Sequence, residues 1–372
     1  MEPLSHKKRF MKIVIRAGGL GTRLWPFSRK NNPKQFQALL GDKTMLRNTY
    51  ERVTGLLSKS EDLFVSINEL MVKRVKVEVP EINLENIIVE TEARNTGPAM
   101  CLEVCFLQHY CQDDDIIASL PSDDYISDNQ AFISLLESSE QFLKNNPDYI
   151  LTPAVKPSTV DTGYSYLKAG QNLQTIGEET IFTVSDVVEK PNHDYCRQLI
   201  DSGVYYCHTG MYVWRLKTIA DLFAKFQPTM YEICQKITEL MVGYGDKEQI
   251  RQLYSQLEKT SIESAITDKV DKLVMSVSNH VGWSDLGKWP VLKNILSSNP
   301  KDNVTKGQVI AKDSNNNIIY CNLVDKLIVV NDISDLAIVD TGDVLFISSL
   351  KNSINTKEII EELKQRGLEK FL

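Results

Sequence analysis

The stretch IVIRAGGLGTRLWPFSRKNNPKQF, residues 13–36, decides how the chain is interpreted. It begins with a short apolar run at residues 13–15, of the kind that forms a buried strand. Glycine then occupies three nearby positions, Gly18, Gly19 and Gly21. Because glycine has no Cβ, phosphate oxygens can come close to the main-chain N–H groups of such a loop. The stretch therefore predicts a strand that leads into a loop for nucleotide phosphates.

The charges of this loop fit that interpretation, but two common phosphate-binding patterns do not. Arg23 offers a fork of N–H donors, and Lys34 offers a compact positive charge. The loop lacks the Lys-Ser or Lys-Thr that ends a P-loop, and Leu24 stands where a dinucleotide fingerprint needs its third glycine. A glycine-rich turn after a strand is also common as a purely structural feature. The loop alone therefore leaves the kind of nucleotide chemistry open.

The composition is that of an ordinary soluble globular protein. Of its 372 residues, 42% are hydrophobic and 24% are charged, and the net charge is −7. This length predicts two domains, and the negative charge argues against a nucleic-acid partner. The sequence has no apolar run of about 18 residues and no recognisable signal peptide, so we expect no membrane partner. Seven cysteines without a CxxC pair fit the reducing cytosol, and we expect a cytoplasmic location.

Apolar runs alternate with segments of helical spacing over most of the first 280 residues. Strands are predicted at residues 12–16, 62–67, 86–90, 115–120, 149–155, 181–189 and 272–277. Helices are predicted at residues 44–57, 96–111 and 131–143, and over 216–258 with a break at Pro228. Such alternation predicts an α/β fold with a doubly wound, mostly parallel sheet. Ligands of such sheets bind at the carboxyl ends of the strands, where the loop after residues 12–16 would lie.

The texture of the sequence changes after about residue 300. Short β-like runs at residues 308–311, 317–321, 326–330, 336–339 and 344–347 alternate with Asn, Asp and Gly, and a charged helix is predicted at 357–366. We therefore divide the chain into a flexible N-terminal extension (1–10), an α/β domain (11–290) and a small β-module with a terminal helix (291–372). The basic cluster Lys7-Lys8-Arg9 of the extension is interpreted as a solvated tail rather than a targeting signal.

Six further segments follow the glycine-rich loop in an order that carries more information than any one of them. They are EARNTGPA (92–99), LPSDD (120–124), DTGYSY (161–166), VEKP (188–191), TGM (209–211) and WSDLG (283–287). Together with GGLGTRLWP and PKQF in the opening stretch, this set resembles the sugar-1-phosphate nucleotidylyltransferases. Within that family, WP and PKQF resemble the mannose-1-phosphate guanylyltransferases. The resemblance spans roughly residues 11–350.

The resemblance implies both a fold and a reaction. The fold would be the Rossmann-like fold of nucleotide-diphospho-sugar transferases, followed by a truncated left-handed β-helix, and the enzyme would be a homodimer. The reaction would join GTP and mannose 1-phosphate to give GDP-mannose and pyrophosphate. Because the sequence ends at Leu372, it is too short for the cupin-type isomerase domain of bifunctional relatives, and we expect guanylyl transfer alone.

The resemblance also assigns roles to individual residues on the nucleotide side. Arg23 would lie over the β- and γ-phosphates, and Lys34 would reach the α-phosphate or the leaving group. The alternative for Arg23 is an ordinary ion pair with a surface carboxylate. The nucleotide-binding set is Ala17, Gly18, Gly19, Gly21, Thr22, Arg23, Lys34, Gln35, Arg94, Asn95, Thr96, Pro121 and Ser122.

On the sugar side, Glu189 would accept hydrogen bonds from vicinal hydroxyls, and Lys190 would hold the sugar phosphate. A buried Glu-Lys pair would be costly without a ligand, which favours a site for these two residues. The sugar-binding set is Asp124, Gly163, Tyr164, Glu189, Lys190, His208 and Thr209.

Carboxylates in two of the short motifs suggest a metal site. Mg²⁺ binds carboxylate oxygens and keeps waters and phosphates in its shell, so one or two Asp residues suffice. We expect Mg²⁺ at Asp123 and Asp285, with Asp124 as the runner-up, and solvated loop carboxylates as the alternative. The run Asp113-Asp114-Asp115 is interpreted as a solvated strand entry. The catalytic set is Arg23, Lys34, Asp123, Lys190 and Asp285.

Other reactive or aromatic residues have simpler interpretations. Cys101, Cys105 and Cys111 share one amphipathic stretch and are expected in the core. Trp25 and Trp283 are also expected to pack in the core rather than to bind a ligand.

Four positions depart from the family pattern. His208 stands where Asn is usual, Ser165 replaces a glycine, Ser264 replaces a common Tyr, and Arg16 replaces an apolar residue beside the loop. All but Arg16 fall in sugar-side segments, so the same chemistry on another hexose 1-phosphate or another nucleotide is one alternative. A regulatory homologue that binds nucleotide sugars without turnover is the other. The presence of all five residues of the catalytic set favours an enzyme.

Overall fold

The strand predicted at residues 12–16 is strand β1, Met11–Arg16, of the computed structural model. The structure describes residues 11–19 and 21–372, with the side chain of Thr22 excepted. The predicted N-terminal extension, with Lys7-Lys8-Arg9, lies outside the described residues.

The predicted strands and helices are present in the predicted order, together with further strands and helices that were not predicted. The further strands are β2 Leu63–Asn68, β3 Ile87–Glu90, β4 Ile116–Pro121, β5 Tyr125–Ile126, β6 Ile150–Val155, β7 Ser165–Ile176, β8 Glu179–Glu189, β9 Tyr205–His208, β10 Tyr212–Arg215, β11 Leu273–Ser278, β12 Trp283–Ser284, β13 Val304–Lys306, β14 Gln308–Lys312, β15 Ile318–Cys321, β16 Leu327–Asn331, β17 Leu336–Asp340 and β18 Leu345–Ser349. The helices are α1 Met45–Thr54, α2 Val72–Glu78, α3 Thr96–Leu107, α4 Asn129–Asn145, α5 His193–Asp201, α6 Leu216–Phe226, α7 Pro228–Val242, α8 Lys247–Ser255, α9 Ile262–Ala265, α10 Trp289–Leu296 and α11 Thr356–Gln365.

The chain forms two units, each built from several segments. Unit 1 takes the described residues up to Gly18 together with Thr49–Ser122 and Ile126–Ser284. Unit 2 takes the described residues of Gly19–Asn48 together with Asp123–Tyr125 and Asp285–Leu372. The predicted boundary between two domains at residue 290 differs from these two units and stays a prediction.

Within the described residues, unit 1 is organised around a ten-stranded sheet of order β11-β8-β7-β9-β6-β10-β4-β1-β2-β3. Strands β4, β1, β2 and β3 run parallel to their neighbours, with Ile15 of β1 opposite Leu120 of β4 and Val65 of β2. Strand β10 is antiparallel to both β4 and β6, and β7, β8 and β9 also pair in antiparallel fashion. The sheet is therefore mixed, and the prediction of a mostly parallel sheet holds for its β4–β3 part and for the parallel pair of β6 and β11.

The antiparallel part of the sheet was not predicted because β7, one of its long strands, shows no sustained apolar alternation. In β7, Tyr166 and Leu167 are buried, but the strand becomes largely exposed beyond Ala169. Its partner β8 follows after a tight turn at Gly177, whose φ of +62° is a conformation that glycine adopts without strain. Because a two-residue connection joins antiparallel strands, this hairpin places two long antiparallel strands in the sheet.

The core of unit 1 lies between this sheet and helices α3, α6 and α7. Helix α3 is buried on all sides from Gly97 to Leu107, so it shows no exposed polar face. Cys101 and Cys105 belong to this core, and the half-buried Cys111 packs against it. The predicted packing role of the three cysteines is confirmed.

Unit 2 contains the small β-module. Strands β13, β15 and β17 stack in parallel, β14 and β16 form a second parallel pair, and β18 closes the first ladder in antiparallel fashion. Parallel stacking of short rungs agrees with the prediction, whereas the left-handed β-helix stays a prediction.

Large aromatic residues hold the opening stretch onto the β-module within unit 2. The ring of Phe27 lies 5.8 Å from Tyr320 and 6.2 Å from Trp289. The buried Trp25 lies 5.9 Å from the ring of Phe346 and donates from Nε1 to the carbonyl of Phe371 over 2.8 Å. The predicted core position of Trp25 is confirmed.

In the part of the chain that the structure describes, none of the helices combines the length and hydropathy that a membrane crossing requires.

Candidate active site

The predicted loop is divided between the two units, with Gly18 in unit 1 and Gly19 in unit 2. In unit 1, the N–H of Ala17 donates to the carbonyl of Ser66 over 2.7 Å, which continues the pairing of β1 with β2. Gly18 follows beside the buried Glu90. A Cβ at Gly18 would lie 2.8 Å from Oε1 of Glu90, so a larger residue there would displace that carboxylate.

The unit 2 part of the loop requires glycine for a different reason. Gly21 has a φ of +60°, and a Cβ there would lie 2.4 Å from the Cβ of Lys34. Gly19, by contrast, is exposed, and a Cβ there would meet no protein atom of the described residues within 4 Å. Its carbonyl accepts a hydrogen bond from Nε2 of the buried Gln35 over 2.9 Å. The loop therefore has an open side at Gly19 and a closely packed side at Gly21.

Lys34 is the centre of a charged cluster in unit 2. Its side chain is only 3% exposed, and its Nζ lies 2.9 Å from Oδ2 of Asp123. The same Nζ also donates to the backbone carbonyl of Asp285. One buried ammonium group thus joins two aspartate residues that are far apart in the sequence.

Arg23 completes this cluster from the more exposed side. Its Nη2 lies 3.2 Å from Oδ2 of Asp285, and its side chain is 52% exposed. Oδ1 of Asp285 accepts from the N–H of Gly287 over 3.0 Å, and a Cβ at Gly287 would lie 2.6 Å from Oδ2. The carboxylate partner of Arg23 is therefore another predicted site residue. We call Arg23, Lys34, Asp123 and Asp285 the charged cluster.

The donor set of the charged cluster fits the predicted magnesium ion. In residues 11–19 and 21–372, no group of three or more His, Cys, Asp or Glu side chains is arranged to hold a metal by itself. Two carboxylates that share one neighbourhood are enough for Mg²⁺, which takes its other ligands from water and phosphate. The runner-up Asp124 is 6% exposed and thus far less accessible than Asp123. The run at 113–115 is only partly solvated, because Asp115 is buried while Asp113 and Asp114 are exposed.

The predicted nucleotide-binding segment of unit 1 is held by its own contacts. Arg94 donates to the carbonyl of Leu257 over 3.0 Å and to Glu92 over 2.7 Å, while its buried Nε lacks a hydrogen-bond partner in the described structure. The side chain of Asn95 accepts from the N–H of Thr96 at the start of α3. The segment is thus a helix entry in which the guanidinium Nε of Arg94 is buried without a hydrogen-bond partner in the described structure.

Pro121 ends β4 and Ser122 follows it, at the same sheet edge as the end of β1. Pro121 is in register with Arg16, and the N–H of Ser122 donates to the Arg16 carbonyl over 3.0 Å. The structure therefore brings these two predicted residues next to Ala17 and Gly18 at the carboxyl ends of parallel strands.

Two of the predicted sugar-side residues do not have the predicted environment. Glu189 and Lys190 form an ion pair of 2.7 Å, but their side chains are 72% and 63% exposed. The pair is therefore not buried as predicted, and it needs no ligand to offset a desolvation cost, because water already solvates both charges. The N–H of Lys190 donates to the carbonyl of Tyr164 over 3.1 Å, which ties two predicted sugar-side segments together.

The remaining sugar-side residues are more enclosed. Tyr164 and the half-buried Trp283 pack with ring centroids 5.3 Å apart, so Trp283 is only partly a core residue. Gly163 donates from its N–H to Oδ1 of Asp161 over 2.7 Å. The hydroxyl of Thr209 donates to the carbonyl of Pro153 over 2.7 Å.

His208 lies in a buried acidic and aromatic environment. Its Nδ1 lies 4.0 Å from Oε1 of Glu263, and its ring packs edge-on against Tyr212. The hydroxyl of Tyr212 donates to the same Oε1 over 2.8 Å. Burial lowers the pKa of His208, with the charge of Glu263 acting against this effect. At neutral pH the imidazole is therefore neutral and can both donate and accept.

Sequence reasoning missed the roles of three charged residues of unit 1, two at the ends of strands β1 and β3 and one in helix α3. The sequence identifies Arg16 only as a departure from a pattern, and it does not single out Glu90 or Glu103. Glu90 is 7% exposed and Glu103 is 2% exposed. A charged residue inside an otherwise apolar strand or helix was the signal that could have found them.

Comparisons with known proteins show the family to which the chain belongs. The family model for nucleotidyl transferases matches residues 12–300. The chain belongs to the nucleotidyl transferase family. The predicted family resemblance is confirmed, because relatives of this nucleotidyl transferase are named mannose-1-phosphate guanylyltransferase. A relative from Salmonella muenchen is 32% identical over 94% of this chain and 73% of its own length. One from Escherichia coli (strain K12) is 30% identical over 95% and 73%.

Solved structures support the α/β fold of this nucleotidyl transferase. The crystal structure of mannose-1-phosphate geranyltransferase from Thermus thermophilus matches with a TM-score of 0.82 at 23% identity, and covers 95% of this chain and 99% of that one. The mannose-6-phosphate isomerase from Helicobacter pylori matches with a TM-score of 0.57 at 21% identity, over 74% of this chain and 99% of its own. At these identities the likeness concerns the fold.

Proposed function

We propose that this nucleotidyl transferase makes GDP-mannose and pyrophosphate from GTP and mannose 1-phosphate. The relatives named mannose-1-phosphate guanylyltransferase support the substrates, since two of them are at least 30% identical over most of this chain. The observation that carries the chemistry is the charged cluster, in which Arg23 and the buried Lys34 meet Asp123 and Asp285.

The reaction requires charge neutralisation more than proton transfer. A phosphate oxygen of mannose 1-phosphate forms a bond to the α-phosphorus of GTP, while the bond from that phosphorus to the bridging oxygen of the β-phosphate breaks. The electron pair leaves with pyrophosphate. Because the attacking oxygen is already an anion, no general base is needed. Holding two polyanions in line is the main task of the protein.

Within this proposal, Arg23 binds the β- and γ-phosphates. Its side chain is half exposed, and its present partner Asp285 can be exchanged for a phosphate at little cost. Lys34 acts near the α-phosphate, and its burial makes its charge more effective than that of a solvated lysine. The open side of the loop at Gly19 lets main-chain N–H groups meet the phosphates.

Mg²⁺ is proposed as the cofactor, with Asp123 and Asp285 as its protein ligands. When bound, it would neutralise charge on the phosphate oxygens as the transfer proceeds. Asp124 is not needed for this ligand set.

Sugar recognition is assigned to Asp124, Gly163, Tyr164, Glu189, Lys190, His208 and Thr209. The exposed Lys190 is free to reorient toward a phosphate because its contact with Glu189 lies at the surface. The neutral His208 takes the place of the family's Asn as a group that can donate and accept. A homodimer, a cytoplasmic location and a left-handed β-helix remain part of the proposal on the family resemblance.

The test is pyrophosphate release by the purified protein with Mg²⁺, over a grid of nucleoside triphosphates and hexose 1-phosphates. We expect release with GTP and mannose 1-phosphate. Release with another pair would retain the chemistry and contradict the substrates. Binding of nucleotide sugars without release from any pair would identify the regulatory homologue.

A matched pair of variants tests the charged cluster. Arg251 pairs with Glu69 over 3.2 Å and is 47% exposed, which closely matches Arg23 with Asp285. Arg23→Ala should lower kcat/KM by about 100-fold or more, whereas Arg251→Ala should leave it unchanged. Equal activities of the two variants would contradict the role of Arg23.

A further inference from the structure

Arg16 has contacts that the family pattern does not explain. It is the last residue of β1, and it precedes the glycine-rich loop. Its Nη1 donates to the hydroxyl of Ser119 over 3.0 Å, and its Nη2 donates to the backbone carbonyl of Gly210. The guanidinium thus connects the strand that leads into the loop with the turn that follows β9.

One arm of this guanidinium faces buried carboxylates. The hydroxyl of Ser119 that accepts from Arg16 donates in turn to Oε2 of Glu103 over 2.7 Å. Glu103 is 2% exposed, and its Oε1 lacks a hydrogen-bond partner in the described structure. Glu90 is also buried, and it accepts from the hydroxyls of Ser66 and Tyr254 over 3.2 Å each. Arg16 supplies positive charge to both carboxylates.

The other arm holds the turn at Gly210. This residue has a φ of +71°, a conformation that glycine adopts without strain, and it lies in the short segment between β9 and β10. The preceding Thr209 anchors the other side of the turn through its hydroxyl to Pro153. His208 lies at the end of β9, and the charge of Arg16 contributes to the lowering of its pKa after burial. The position of His208 and Thr209 therefore depends on a bond made by Arg16.

Arg16 could serve only to compensate the buried carboxylates, or it could also position the segment at Gly210. If Arg16 only compensated the buried carboxylates, any cation at this position would serve. A lysine carries all its donors on one nitrogen, so it cannot span Ser119 and Gly210 with two separate nitrogens as the Arg16 guanidinium does. The bond to Gly210 therefore distinguishes a positioning role from charge compensation.

We propose that Arg16 is a positioning residue that fixes the His208–Gly210 turn and thereby sets the affinity for the sugar phosphate. This inference rests on the proposed function, because it concerns the sugar side of the same reaction. It assigns a role to the one departure from the family pattern that lies outside the sugar-side segments.

The experiment compares steady-state kinetics of Arg16→Lys and Arg16→Leu with those of the unmodified protein. Each variant should raise KM for mannose 1-phosphate by about 10- to 100-fold, the effect expected when a hydrogen bond from a charged donor is lost. KM for GTP should change less than about threefold. Full recovery of the sugar-phosphate KM in Arg16→Lys would overturn the proposal, because charge alone would then be sufficient.

Lys12→Met provides the matched control. Lys12 lies on the same face of β1 and pairs with the buried Asp62 over 2.6 Å, but it has no bond to the turn. The Lys12→Met variant should have a lower melting temperature, but its KM for mannose 1-phosphate should not rise relative to its KM for GTP. An equal separation in Lys12→Met would overturn the proposal.

If Arg16→Leu fails to fold, Arg16→Leu with Glu103→Gln removes one of the two buried carboxylates left without a cation. This double variant should fold and keep the raised KM for mannose 1-phosphate. An unmodified KM in the double variant would overturn the inference. Absence of guanylyl transfer in the unmodified protein would instead contradict the proposed function, so the two failures are distinguishable.

Discussion

Replacement of Glu103 by Gln should change how the stability of the protein depends on pH. Burial raises the pKa of Glu103 from 4.5 to about 7, with the charge of Arg16 and the hydroxyl of Ser119 opposing this shift. The folded protein therefore binds a proton that the unfolded chain releases. The stability that comes from the neutral carboxyl group is full below pH 4.5 and is lost as the pH rises through about 7.

The size of this effect follows from the two pKa values. A raise of about 2.5 units corresponds to about 3.4 kcal/mol at high pH, since each unit is worth about 1.36 kcal/mol. Between pH 5 and pH 8, the contribution falls by about 2.5 kcal/mol, because part of the loss has already occurred at pH 5. Glu103→Gln has no proton to lose, so its free energy of unfolding should not include this decrease.

Urea unfolding followed by tryptophan fluorescence at pH 5 and pH 8 measures the difference. The unmodified protein should lose about 2.5 kcal/mol more than Glu103→Gln over this interval. Asp343→Asn is the control, because Arg29 lowers the pKa of Asp343 to about 2, below the interval. It should lose as much as the unmodified protein. Equal losses in all three proteins would refute the reasoning.

Three further predictions concern the candidate site. Gly21→Ala should lower turnover by more than about tenfold, because its Cβ would meet Lys34, whereas Gly41→Ala shares the positive φ without a clash and should be milder. Asp285→Asn should reduce kcat by about 100-fold with little change in melting temperature, and a near-normal kcat with saturating Mg²⁺ would contradict its role. His208→Asn should alter the relative kcat/KM values for different sugar phosphates more than the KM for GTP, and equal changes would remove it from sugar recognition.

Much of the fold was predictable because its central strands are short, apolar and buried on both faces. The strands β1, β2, β4 and β6 have the predicted bounds to within about one residue. The antiparallel part was not predictable in the same way. Strand β9, which reads YYCH, and the exposed half of β7 owe their position to neighbouring strands rather than to an apolar pattern.

The candidate site divides along a similar line. Resemblance grouped Arg23, Lys34 and Asp285 by motif, and the structure brings them into contact. Arg16 could not be assigned in this way, since its partners Ser119 and Gly210 lie 103 and 194 residues further along the chain. Only the folded chain reveals which buried charge meets which turn.

The segmented course of unit 2 limits how the chain can be shortened. The stretch that carries Arg23 and Lys34 is packed through Phe27 against Tyr320, a residue of the β-module. The hydroxyl of Tyr320 also donates to the carbonyl of Leu39 over 3.0 Å. A chain that stopped after residue 290 would still contain the stretch with Arg23 and Lys34, but Phe27 would lose its packing partner Tyr320. Residues 291–372 are thus a scaffold for residues more than 250 positions earlier in the sequence, and insertions or fusions will be tolerated better at their exposed turns than deletions at residue 290.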